Sequence, residues 1–265
     1  MILENFVFSP KKIFQDIDIT NNGLLLNERV FTSFRTFSNK VPFLVDHMNR
    51  LDLGAKYLFG KDLEKKDLLL NLRGLLKTLK EDIRVRITIL KINDELDYFI
   101  STSHLENFNT APISLTKSEK IKTSGLIPSF LKTGNYVETN LEVERARNLG
   151  FDDIVFTDLQ NNILECSTSN IFIIKNNNVF TPAVNDLFLN GITRQKIIEM
   201  LKKEKINIQE SEINYSDLMD SDEVFICNSV KGIRSVGRVE KIEFNNIFTK
   251  EIIAYFNDYI RKNRE

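Results

Sequence analysis

Residues 131–170 read LKTGNYVETNLEVERARNLGFDDIVFTDLQNNILECSTSN, and the order of elements in this stretch decides the fold. Lys132 stands just ahead of a helical pattern over 135–149, with Tyr136 on its first turn and Gly150 as its stop. The apolar run Ile154, Val155, Phe156 reads as a strand. Gln160, Asn161 and Asn162 read as a turn, and a second short strand ends at Glu165. A lysine, a phenol and a carboxylate are therefore expected at the ends of neighbouring elements. Singly they read as a surface lysine, a capping tyrosine and a solvated glutamate; their conjunction suggests a site.

Downstream, Ser167, Thr168 and Ser169 precede a buried strand over 170–174, and the Asn176-Asn177-Asn178 turn leads into VFTP at 179–182. Asn190-Gly191-Ile192-Thr193-Arg194 opens a helix to about Lys205, with Ile197, Ile198 and Leu201 facing its core. Strands are expected at 206–213 and 224–227, then a loop over 228–232 and a terminal helix over 249–261. Upstream, a strand begins at Ile113, a loop spans 123–130, and the polar segment 104–112 reads as a linker. Before it lies a small α+β pattern. It has an Asn21-Asn22-Gly23 turn, strands at 24–26 and 30–37, and a helix from an Asp46 N-cap to Phe59 with Gly60 as its stop. A second helix over 63–80 and strands at 85–90 and 98–102, joined at Asn93-Asp94, complete it. Alternation in 30–37 puts Phe31, Ser33, Arg35 and Phe37 on one face, and Thr32, Phe34 and Thr36 on the other. The expected organisation is mixed α/β (α+β), with domains at 1–108 and 109–265.

The 265 residues carry 36 basic and 37 acidic side chains, for a net charge of −1, which gives no global attraction to nucleic acid or anionic membrane. The opening MILENFVFSPKKIF lacks a basic region followed by a long apolar core, and no apolar run approaches the ~18 residues of a membrane span. A cytoplasmic protein is expected. Cys166 and Cys227 have no metal-like spacing, and the two histidines, His47 and His104, give a zinc site or a His-based triad little to build from, so no metal is expected.

The remaining chemistry fits an aldehyde cofactor with a basic ring nitrogen. A lysine that attacks an aldehyde must lose its proton, and from a free value of ~10.4 this takes burial or a neighbouring cation. Lys132 is flanked by Phe130, Leu131 and Tyr136, with no acid nearby in sequence. Glu165, beside small residues, can face a ring nitrogen. Gly191-Ile192-Thr193 at a helix start, the Asn228-Ser229 turn and Arg50 can serve a phosphate. Each has a plainer reading: Thr193 as an ordinary N-cap, Arg50 as a solvated helix residue, Glu165 as the end of a hairpin strand.

Together, VFTSFR, VPFLVDHMNRL, LKTGNY, IVFTDLQNNILECSTSNIF, VFTP, LNGITR and DEVFICNSVKGI resemble the class IV (fold type IV) pyridoxal-phosphate enzymes, in order from residue 30 to about 236. That group includes branched-chain and D-amino acid aminotransferases and aminodeoxychorismate lyases. The resemblance implies a small N-terminal α/β domain, a larger C-terminal domain with a barrel-like sheet, and a homodimer acting on a small amino acid-like substrate. It implies that Lys132 bonds the cofactor aldehyde and carries the substrate proton, that Tyr136 bonds the ring oxygen and that Glu165 meets the ring nitrogen. Arg50, Ile192 (through its backbone), Thr193 and Ser229 would hold the phosphate, and Leu189 would pack on the ring. Thr32-Ser33 after Phe31, FICNSVKGI and the short chain look most like the lyases, which split 4-amino-4-deoxychorismate into 4-aminobenzoate and pyruvate for folate synthesis. Phe31, Thr32, Ser33 and Arg35 would then line the substrate pocket. The alternative is an amino acid aminotransferase using 2-oxoglutarate. One departure is Leu26-Asn27-Glu28-Arg29, which stands where the family usually has a glycine-rich turn.

Overall fold

The computed structural model describes residues 7–8, 26, 28–92, 94–105 and 111–265. The expected turn at 21–23 and the first two residues of the expected strand at 24–26 lie outside them, as do 106–110 of the expected linker; Leu26 itself is in a bend. The chain forms two compact units. One comprises Met1–Phe108, Leu131–Asn135 and Arg261–Glu265, and the other Asn109–Phe130 and Tyr136–Ile260.

The first unit is an antiparallel sheet of β1 (Val7–Phe8), β2 (Arg29–Arg35), β3 (Ile83–Ile92) and β4 (Glu95–His104), in the order β1-β4-β3-β2. Two helices, α1 (Leu44–Phe59) and α2 (Lys65–Thr78), cover one face. Val30, Phe34, Val85, Ile87, Ile89 and Ile100 meet Leu44, Met48, Leu51 and Ala55 of α1 and Leu68, Leu72 and Leu76 of α2. Each fully buried leucine there contributes about 1.5–3 kcal/mol.

Helix α1 starts three residues earlier than an Asp46 cap would set it. Phe43, in the left-handed region at φ 56°, is the N-cap, and its N–H donates to the Asn263 carbonyl at 3.2 Å. Asp46 falls in the first turn, where a carboxylate favours the free N–H groups. Local capping preference lost here to pairing with the chain's last residues, Val41 exchanging hydrogen bonds with Glu265 at 2.7 and 3.0 Å. The outer edge of β2 is covered too: the Phe31 N–H donates to the Lys132 carbonyl at 2.9 Å and Val30 bridges Thr133. An edge strand that would otherwise show open backbone groups thereby fixes where Lys132 sits.

The second unit contains a closed ring of six strands. These are β5 (Ile113–Ile121), β6 (Asp153–Thr157), β7 (Ile163–Cys166), β8 (Asn170–Lys175), β11 (Glu223–Asn228) and β12 (Gly232–Val239). The order runs β8-β11-β12-β5-β6-β7, and the Glu165–Asn170 pair returns it to β8. Strands β9 (Asn178–Pro182) and β10 (Ile208–Ser211) extend the sheet beyond β8, and β13 (Ile242–Glu243) pairs with β12. Alternate residues fill the ring, among them Leu115, Val155, Ile163, Ile171, Ile173, Val224, Ile226 and Val236. Ile154 and Phe156 point the other way, onto Ala146 of α3 (Val137–Asn148). The remaining helices are α4 (Ile192–Lys203), α5 (Tyr215–Met219) and α6 (Ile247–Lys262). No helix among the described residues is long and apolar enough to cross a membrane.

The expected strand over 206–213 narrows to β10, the one expected over 30–37 stops at Arg35 in β2, and β12 arises beyond the loop expected at 228–232, where no element was expected. Its sequence GIRSVGRV has two glycines and two arginines and little apolar alternation. Its neighbours β11 and β5 hold it in place, with a bulge between Val236 and Arg238, and a Cβ at Gly237 would come within 2.9 Å of Pro112.

Candidate active site

The candidate side chains fall into two sets, one in each unit. In the first, the pleat of β2 sorts the residues. Phe31, Ser33 and Arg35 lie on the face away from the helices, opposite Thr88, Arg86 and Arg84 of β3. The Lys132 Nζ is 4.9 Å from the centre of the Phe31 ring, and the Arg86 guanidinium is 3.6 Å from it. Such contacts contribute about 0.5–2 kcal/mol each and hold the cations against an apolar surface. Lys132 is half-buried, not extended into solvent. The Ser33 and Thr88 hydroxyl oxygens on this face are buried and make no hydrogen bond among the described residues. Arg35 stands over Phe37 at 4.5 Å and pairs with Asp82 at 3.8 Å; burial holds its guanidinium below the usual arginine value, against the raising influence of Asp82.

Thr32 is turned to the other face, fully buried under α1. The Arg50 Nη2 donates to its Oγ1 at 2.5 Å, and the same oxygen is 2.6 Å from the His47 Nδ1. His47, 1 % exposed, is pushed well below the ordinary histidine pKa, first by burial and then by the positive charges of Arg50 and Lys132. The hydroxyls of Thr32 and Ser33, considered together as substrate groups, thus point to opposite sides of one strand.

In the second unit, Glu165 on β7 forms an ion pair with Lys122, which follows β5 and whose Nζ also lies 4.7 Å from the Phe156 ring centre. Tyr136, half-buried, is the N-cap of α3 and does not lie inside its first turn. At the start of α4, Ile192 and Thr193 are buried, and the Thr193 and Ser229 hydroxyls are 2.9 Å apart. No acidic residue occupies the first turn of α4, at the positive end of its dipole. Asn228 shapes the turn that carries Ser229: its Oδ1 accepts from Val230 N–H at 3.0 Å and Lys231 N–H at 2.7 Å, while its amide donates to the Ser169 Oγ at 3.0 Å.

The approach to α4 is held from behind. Asn170 donates to the Leu189 carbonyl at 2.8 Å, which positions half-buried Leu189. Arg194, 1 % exposed, donates to Asn190 Oδ1 at 2.9 Å, to the Pro182 carbonyl at 2.7 Å and to Glu210 at 2.8 Å. Gly191 is required by this closeness, since a Cβ there would meet the Asn170 Oδ1 at 2.2 Å.

Residues 29–239 match the family model described as amino-transferase class IV. The chain belongs to the class IV aminotransferase family. Its architecture is that of an aminotransferase from Brucella abortus whose crystal structure has PLP bound: the TM-score is 0.89 at 21% identity, covering 97% of this chain and 99% of that one. A mitochondrial branched-chain amino acid aminotransferase 1 from Humulus lupulus is 37% identical over 122 residues, 43% of this chain. An aminodeoxychorismate lyase from Vibrio harveyi is 32% identical over 117 residues, also 43% of this chain. These alignments span 31% of the hop protein and 43% of the Vibrio protein.

Within this class IV chain, geometry groups Thr193 with Ser229, Lys132 with Phe31, and Arg50 with Thr32, whereas Arg35 pairs with Asp82 near the end of β2. Sequence reasoning passed over His47, Arg86, Lys122 and Asn170. The His47–Arg50 spacing of three on one helix face and the alternation in RVRIT were available signals. Nothing local marks Lys122 or Asn170, whose partners lie 43 and 19 residues away.

Proposed function

We propose that this class IV chain is a pyridoxal-phosphate enzyme acting on an amino acid-like substrate, and that its reaction splits 4-amino-4-deoxychorismate into 4-aminobenzoate and pyruvate. The observation that carries the cofactor reading is the start of α4. There two hydroxyls 2.9 Å apart, backbone N–H groups and no acidic residue in the first turn make a cradle for a phosphate. The other donors fit the rest of the group: a half-buried amine on an aromatic ring at Lys132, a largely buried carboxylate at Glu165 and a phenol at Tyr136.

When bound, the cofactor supplies an electron sink for charge left at the substrate carbon. Lys132 would hold the cofactor at its aldehyde and would take the proton from the substrate carbon that bears the amino group. Losing that proton and the ether oxygen makes the ring aromatic; the released enol gains a proton and becomes pyruvate. Glu165 would offer its carboxylate to the ring nitrogen, Tyr136 would bond the ring oxygen, and Leu189 would pack on the ring. Arg50, Ile192, Thr193 and Ser229 would hold the phosphate. Phe31, Ser33 and Arg35 face the substrate, with Arg86 beside them as a second guanidinium for its carboxylates. The buried Ser33 hydroxyl, without a partner among the described residues, is the group assigned to guide elimination. A homodimer in the cytoplasm, serving folate synthesis, belongs to the same proposal.

The branched-chain aminotransferase relative favours a second reading, amino transfer to 2-oxoglutarate. Purified enzyme given aminodeoxychorismate and no oxo acid releases pyruvate and 4-aminobenzoate in equal amounts under the lyase reading. Turnover only with an amino acid plus 2-oxoglutarate overturns it. Lys132→Ala should abolish the visible absorption band; a protein that stays colourless after incubation with the cofactor rejects both readings.

A further inference from the structure

In the layer between β2 and α1, Thr32, His47 and Arg50 meet among the apolar residues Val30, Phe34, Leu44, Met48 and Leu51. Polar groups buried in such a layer persist only when their hydrogen bonds are made.

The direction of those bonds can be worked out from the donors. A guanidinium only donates, so at 2.5 Å the Thr32 Oγ1 accepts from Arg50. Thr32 then has one proton to place, and its other contact is the His47 Nδ1 at 2.6 Å. That nitrogen is the acceptor the contacts offer for the Thr32 proton, and an imidazole that accepts at Nδ1 while neutral carries its own proton on Nε2. Neutrality is enforced by burial and by the charges of Arg50 on the same helix and Lys132 on the adjoining segment. The chain of donation runs one way, Arg50 to Thr32 to His47, and only with a neutral imidazole at its end.

We propose that Thr32 and His47 are a positioning pair that fixes the guanidinium of Arg50 for the phosphate of the cofactor. The proposal rests on the phosphate role of Arg50 given above. Arginine loses considerable side-chain freedom when it binds an anion, so holding one Nη beforehand reduces the entropy lost on binding. Thr32 accordingly acts through Arg50 and not on the substrate.

The test compares pyridoxal phosphate with pyridoxal, which has the aldehyde and ring but no phosphate. Affinities are read by titrating apoprotein and following the visible band. Thr32→Val should weaken pyridoxal phosphate about tenfold and leave pyridoxal within twofold, and Thr32→Ser, which keeps the hydroxyl, should restore the first. His47→Asn, whose carboxamide can offer an oxygen near the Nδ1 position, should fall between His47→Leu and the wild type. If Thr32→Val does not fold, the Thr32→Ser and His47 variants still decide the matter. A readout free of cofactor is the nitrogen NMR of His47 in the apoprotein, which should show the Nε2–H tautomer near neutral pH.

Equal weakening of both ligands by Thr32→Val, or of neither, overturns the pair, as does an Nδ1–H tautomer. Arg50→Met separates the two failures. If it weakens pyridoxal phosphate selectively while Thr32→Val does not, only the positioning role is lost. If it has no selective effect, the phosphate role of Arg50 is wrong and the positioning role falls with it.

Discussion

Replacing Gly191 by alanine should damage the start of α4 out of proportion to the one methyl group added. The new Cβ lands 2.2 Å from the Asn170 Oδ1, far inside contact distance, and 3.4 Å from its Cγ. Backbone conformation is not at issue, since Gly191 sits at φ −66° and ψ 143°, which alanine adopts freely. The cost comes from Asn170, 6 % exposed, which can turn away only by giving up its 2.8 Å bond to the Leu189 carbonyl. Losing that bond costs about 1 kcal/mol, and leaving a buried amide or carbonyl unsatisfied adds about 1–3 kcal/mol. At about 2–4 °C per kcal/mol for a chain of this size, the melting temperature should fall by roughly 4–16 °C. The assay is thermal unfolding of apoprotein followed by circular dichroism. Asn170→Ala removes the obstructing oxygen, so Gly191→Ala should cost clearly less in that background, a coupling that a double-mutant cycle reads directly. A Gly191→Ala protein melting within about 2 °C of wild type, or strictly additive effects, would show that the Asn170–Gly191 approach does not hold the cradle in place.

Other perturbations probe separate parts of the reasoning. His47 should make stability pH-dependent. The unfolded chain protonates it near 6.5, the folded chain only well below, so between the two the unfolded state holds one more proton. Stability therefore falls as pH drops below about 6.5, with a limiting slope of about 1.4 kcal/mol per pH unit, and His47→Asn should flatten that dependence in urea titrations at stepped pH. Lys122→Met removes one cationic partner of Glu165, whose side chain is only 15% exposed; it should cost about 1–3 kcal/mol, and pyridoxal phosphate should raise the melting temperature more than it does in wild type. Arg194→Lys keeps the charge but loses the fork that reaches Asn190, Pro182 and Glu210; a loss of about 2–5 kcal/mol in denaturant titrations is expected. Leu72→Ala, in the fully buried layer under the first sheet, should cost about 2–5 kcal/mol without changing the affinity of the second unit for inorganic phosphate.

What could be seen in the sequence depended on whether the signal was local. Helices α1, α2 and α4 and strand β2 were legible because their apolar spacing matches the period of the element that forms, and Gly60 and Gly150 mark stops with φ of 68° and 83°. Strand β12 was not legible: its arginines and glycines give no alternation, and its place comes from β11 and β5 on either side. The alternation in VFTSFR separated Thr32 from Ser33, but no local feature says which face meets the helices. That is decided by the leucines of α1 and α2, which claim the side of Val30 and Phe34 and leave Ser33 and Arg35 on the other. The same distinction applies to the proposed phosphate cradle. Gly191-Ile192-Thr193 reads as a helix start in any sequence, and an isolated helix start would not select a ligand. Selection comes from closing the ring. Pairing Glu165 with Asn170 places the β8 strand so that Asn170 can hold Leu189 and crowd Gly191, while β11 ends where Asn228 turns Ser229 towards Thr193. Barrel closure and the proposed ligand cradle therefore share residues. A substitution at Asn170 should loosen both together, whereas one at Ser229, which takes no part in the strand pairing, should weaken phosphate binding and leave the melting temperature nearly unchanged.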